Sequence, residues 1–140
     1  MNNSSKIIKW FTYTVIVGLL PILARLLSNM FLDDVAWFAA SDFIAFGFVM
    51  HISILNELEH MHEDDNWKSI QNGTSIGFVF IYGLLTFALL NIEAGSKQMN
   101  PDKLKYCSMV MSSVSFILAY IVFNRLSAKS KSSQLGEAAC

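Results

Sequence analysis

The sequence predicts an all-α integral membrane fold, a bundle of four transmembrane helices, and three observations carry that prediction. Of 140 residues, 54% are hydrophobic and 15% charged, against about 25% charged in an ordinary soluble domain. The apolar residues come in four long blocks, and a helix rising 1.5 Å per residue needs about 20 of them to cross a hydrocarbon core about 30 Å thick. Ile44 to Met50 and Ile76 to Leu90 are apolar nearly throughout, whereas a lipid-facing strand would alternate apolar and polar side chains. A transmembrane barrel is thereby excluded.

The first span is expected at about Lys9 to Asn29. Lys6 and Lys9 ahead of an apolar run resemble a secretory signal, but Arg25 interrupts the run, which is too long for a usual signal core, so a retained helix is expected. Pro21 removes one backbone donor and should kink it. The second span is expected at about Val35 to Glu57, the third at Thr74 to Ile92 and the fourth at Tyr106 to Arg125. Trp10, Trp37 and Tyr106 near span ends suit interfacial anchors. The tail over 127–140, polar and rich in Ser and Lys, buries too little apolar surface to fold alone and is expected to be a mobile end. The longest connection, about Leu58 to Gly73, is too short to build a second core, so one transmembrane domain accounts for the chain.

An even number of spans puts both termini and the second connection on one side. That side carries Lys6, Lys9, Lys68, Arg125, Lys129 and Lys131, against Lys97, Lys103 and Lys105 on the other. The bias favours cytoplasmic termini, in a cell membrane such as a bacterial inner membrane. The net charge of -1 without a basic run gives nucleic acid no binding surface. Cys107 and Cys140 belong to opposite ends of the bilayer and cannot pair within one chain.

Charges inside the spans are costly, on the order of 2.5–3.5 kcal/mol each at the bilayer centre. Arg25 and Asp42 fall at similar depths on either side of a short turn, so an antiparallel hairpin brings them level. An intramembrane ion pair setting the hairpin register is the expected arrangement. The alternatives are a snorkelling Arg25 that reaches Asp33, Asp34 or lipid phosphate, and a charge lining a polar route. His51, Ser112 and Ser115 are further intramembrane polar residues, and His51 is expected to bond to a neighbouring helix. Gly73 and Gly77 form G-x-x-x-G, while Ser108, Ser112, Ser115 and Ala119 follow one face of the fourth helix, so both faces suit close helix packing within or between chains. Four helices shield few of their own faces from lipid, and a homo-oligomer is expected.

Glu57, Glu59, His60, His62, Glu63, Asp64 and Asp65 make an acidic patch beside Trp67. Glu57-x-x-His60 and Glu59-x-x-His62 have the spacing of carboxylate-bridged di-iron bundles, but those draw further Glu and His ligands from other helices, and the other spans supply none. No metal or cofactor is expected. A solvated helix end is the plain interpretation; a cation- or proton-sensing patch and a docking face anchored by Trp67 are the functional ones.

No phosphate loop, closed zinc spacing, nucleophile elbow or selectivity filter is present, so an enzyme is not expected. The function that fits is a membrane scaffold or sensor that docks a soluble cytosolic protein, with a small oligomeric ion or proton channel or carrier as the alternative. In size and helix count the chain resembles the four-helix membrane subunit of the Kiwa antiphage system, which pairs with a soluble DNA-associated subunit. That resemblance implies a role in antiviral defence and assigns no residues.

Overall fold

A computed structural model describes residues 3–32, 36–59, 65–95 and 97–137, with side-chain detail over 8–128 apart from positions 10, 65 and 127. It consists of four helices: α1 (Asn3–Phe31), α2 (Ala40–Glu59), α3 (Asp65–Glu93) and α4 (Pro101–Glu137). All four contain stretches long and apolar enough to cross a membrane.

α1, α3 and α4 are longer than the apolar blocks, because hydropathy measures immersion in hydrocarbon and not where hydrogen bonding stops, whereas α2 starts at Ala40 and not at the expected Val35. α3 starts at Asp65 rather than Thr74, so the connection expected over Leu58 to Gly73 shrinks to the segment between Glu59 and Asp65. α4 starts at Pro101, where Asn100 Oδ1 accepts from the backbone N–H of Asp102 (2.9 Å) and Lys103 (3.2 Å). A capping Asn, a Pro at the first helical position and an acid in the first turn together satisfy the exposed donors of a helix start. α3 ends in Gly95 at φ +88°, whose N–H donates to the Ile92 carbonyl at 2.9 Å. Only Gly holds that left-handed conformation without strain.

Residues 127–137, part of the tail expected to be a mobile end, are helical. Starting a helix is the costly step, and these residues merely extend one that the membrane span has already nucleated. α1 is continuous through Pro21.

α2 is the central helix, packed most extensively against α4 and α3 and then against α1. Half of its span is buried within the bundle, against 11% for α1 and α3 and 33% for α4. The peripheral helices therefore turn large apolar side chains outward, among them Leu20 and Leu27 of α1, Phe80 and Phe87 of α3, and Ile117 and Ile121 of α4. So much exposed apolar surface would drive aggregation in water and is matched by lipid tails.

Two apolar clusters fill the interior. Near the end where α1 begins and α4 finishes, Phe46, Met50, Ile54 and Leu58 of α2 meet Ala119, Val122, Phe123 and Leu126 of α4, with Phe11 and Trp67 packed at the edge. Towards the other end, Ala40 and Ile44 pack with Tyr82 and Leu104. Gly18 lets α1 approach α2 closely, since a Cβ there would lie 3.0 Å from the Phe46 ring and 3.1 Å from Met50 Cε.

Gly73 and Gly77 do not serve packing within the chain. A Cβ at either would meet nothing within 4 Å, so among the described residues no helix lies against the G-x-x-x-G face. α3 is rotated so that Ser75, Phe78 and Tyr82 point inward instead.

Candidate functional site

Polar side chains gather at three levels of the bundle. At the first, in the first turn of α2, Asp42 is buried and receives Arg25 of α1, whose Nε and Nη2 both donate to its carboxylate. The two-pronged contact suits the planar guanidinium and holds the α1–α2 hairpin in one register. The Arg25 side chain keeps 28% of its surface exposed, against 8% for Asp42. Ser41 adds a long contact, 3.4 Å to Asp42 Oδ1.

The second level lies near mid-length of α2, α3 and α4. Ser115 Oγ of α4 is 2.9 Å from His51 Nε2 of α2, 2.7 Å from the Tyr82 hydroxyl of α3 and 3.0 Å from the Met111 carbonyl of its own helix. One serine thus joins three helices. His51, Tyr82 and Ser115 are all fully enclosed, and the imidazole stacks on Phe78 with centroids 4.5 Å apart. Room for the phenol comes from Gly47, where a Cβ would overlap Tyr82 Cζ and its hydroxyl. Tyr82 and Gly47 escape sequence reasoning, although Gly47 stands one turn before His51 on the same face and so carried a weak signal. Ser112 is buried on the same helix but stays outside the triad, since its hydroxyl donates to the Met109 carbonyl at 2.9 Å.

The third level is the corner between α2 and α3. Glu57 is half-buried and Glu59 exposed at the end of α2, and Asp65 opens α3; His60, His62, Glu63 and Asp64 lie outside the described residues. Lys68 Nζ reaches back to the Glu59 carbonyl at 3.4 Å. Trp67 is not the free anchor that a docking patch calls for: it packs against the α2–α4 core, and the Arg125 guanidinium lies over its ring at 4.6 Å. Such stacking contributes about 0.5–1 kcal/mol where exposed and more when desolvated. Among the described residues no three His, Cys, Asp or Glu side chains gather as a metal-binding group.

A groove of about 500 Å³ opens between α1, α2 and α4, walled by Val15, Leu19, Phe43, Phe46 and Phe116. Its two serines, Ser112 and Ser113, both spend their hydroxyl protons on the Met109 carbonyl. The surface left is hydrocarbon in character.

Four helices long and apolar enough to cross a bilayer, with their polar groups paired inside, point to a membrane protein. No protein family, curated protein or solved structure matches the chain. The resemblance in size and helix count to the Kiwa membrane subunit therefore has no sequence or structural match beside it.

Proposed function

We propose that this chain is a non-enzymatic membrane scaffold whose cytoplasmic end docks a soluble protein. The observation that carries this reading is the Arg125–Trp67 stack, which ties the start of α3 to α4 where α4 leaves its apolar span. From that junction α4 runs on as helix to Glu137, at the same end of the bundle as Glu57 and Glu59. An extension of 11 residues projects about 16 Å at 1.5 Å per residue. The acid-rich connection between α2 and α3 suits a partner with a basic surface, since complementary charge sets orientation and speeds encounter. Lys6, Lys9, Lys129 and Lys131 also lie at this end, and that positive bias supports a cytoplasmic position for it.

The deciding experiment is native mass spectrometry of the protein purified in mild detergent from cells expressing its genomic neighbours. A stoichiometric soluble protein, lost when Glu63, Asp64 and Asp65 are all changed to Lys while the bundle stays folded, supports the reading. Recovery unaffected by the charge reversal would count against it.

A second reading, an oligomeric ion or proton channel or carrier, draws on the polar groups at mid-depth, His51, Tyr82 and Ser115. They are bonded to one another inside packed helices, so a conducting route would run between subunits. This reading predicts flux in liposomes that disappears with Asp42→Asn; inert liposomes would sink it.

A further inference from the structure

Counting protons at Ser115 fixes the state of His51. A serine hydroxyl has one proton and two lone pairs. The Met111 carbonyl can only accept, so it takes the Ser115 proton at 3.0 Å. The two remaining neighbours, Tyr82 OH at 2.7 Å and His51 Nε2 at 2.9 Å, must then donate to the Ser115 lone pairs. Nε2 therefore carries a proton, and because Nδ1 meets no acceptor or counter-ion among the described residues, the ring is the neutral tautomer with a bare lone pair on Nδ1. Nδ1 is buried and has no hydrogen-bond partner among the described residues.

We infer that His51 Nδ1 is a proton-receiving site at mid-depth of the bundle, through which acidification loosens the hold of α2 and α4 on α3. A proton arriving at Nδ1 creates an N–H with no acceptor and a full charge with no counter-ion. Groups facing the ring from each neighbour offer no relief. α3 presents the Tyr82 phenol and the Phe78 face, α4 presents Ser115 with Cys107 exposed two turns further along, and α1 presents no charge at this height. On α2 itself, Asp42 is nine residues away and held by Arg25, and Glu57 is six residues away at the helix end.

Stacking on Phe78 offsets part of the cost, but an uncompensated charge among apolar side chains favours admission of water or separation of the helices. α3 is the element that moves. At this level its polar contact with α4 is the Tyr82–Ser115 hydrogen bond, whose serine also takes the imidazole N–H, and its ring contacts with α2 include the His51–Phe78 stack, so two of its contacts meet at the imidazole. The sign is fixed: the bundle is tight where His51 is neutral and loosens as pH falls through its titration.

The test uses the full chain in phosphatidylcholine nanodiscs, whose headgroups do not titrate between pH 7.5 and 3. Spin labels at Ile81→Cys and Tyr120→Cys, in a background with Cys107→Ser and Cys140→Ser, read the α3–α4 distance. A longer-distance population that grows towards pH 3, reverses on neutralisation and is absent in His51→Gln supports the inference, since the Gln amide still donates to Ser115 but does not titrate. No change with pH, or the same change in His51→Gln, overturns it. Should His51→Gln fail to fold, the ¹⁵N spectrum of His51 in the unlabelled protein decides: Nδ1 passing from bare to protonated over this range supports the proposal, and an unchanged spectrum overturns it.

Discussion

Arg25 and Asp42 stabilise the hairpin only as a pair, because each alone is a charge in an apolar setting. Asp42→Asn should lower stability by about 3 kcal/mol, the lower end of the range for breaking a buried pair, since Arg25 retains partial exposure. Replacing both with Leu should recover most of that loss, and unfolding in mixed micelles checks the comparison. The Gly47–Tyr82 contact is a second residue-scale test. Gly47→Ala should cost about 1–3 kcal/mol through overpacking, and Tyr82→Leu in the same chain should relieve it. A double-mutant cycle that shows strict additivity would mean the two sites do not touch.

Among the elements, the turn from α3 to α4 depends on two local devices. Gly95→Ala should cost about 1 kcal/mol, because the left-handed conformation brings a Cβ against the backbone. Asn100→Ala should cost a similar amount, about 1 kcal/mol, by removing the acceptor of two backbone N–H groups. The extension of α4 behaves differently, since its polar sequence gives it little to bury and it continues a helix that the span has already started. Ending the chain after Leu126 should reduce the helical signal in far-ultraviolet circular dichroism yet leave the unfolding midpoint of the bundle in place. If the extension belongs to the docking face, the same truncation should abolish partner recovery.

At the scale of the whole molecule, the outer apolar surface is divided between faces that meet lipid and faces that can meet another copy. The open side of Gly73 and Gly77 is the natural place for a second helix to approach closely. Gly77→Leu should therefore leave the monomer's stability unchanged, because no described side chain lies within reach. If the chain assembles through this face, the oligomer peak in native mass spectrometry should fall to monomer; an unchanged oligomer would place the interface elsewhere.

Quantities that depend on depth along the membrane normal are legible in residue order alone. Hydrocarbon thickness turns apolar run lengths into spans, and equal distances from a short turn put Arg25 level with Asp42. Depth also places His51 in the interior, with a neighbouring helix as its natural partner. Rotation about each helix axis and the true helix ends emerge only from the packed bundle. The choice of Ser115 and Tyr82 as companions of His51, the need for Gly47 beneath the phenol, the outward turn of Gly73 and Gly77 and the capture of Trp67 by Arg125 all depend on which face of one helix meets which face of the next. The cause lies in the solvent: in water a polar face marks the outside of a helix, but in lipid the outside is as apolar as the core, so these helices carry little in their pattern to say which way they turn.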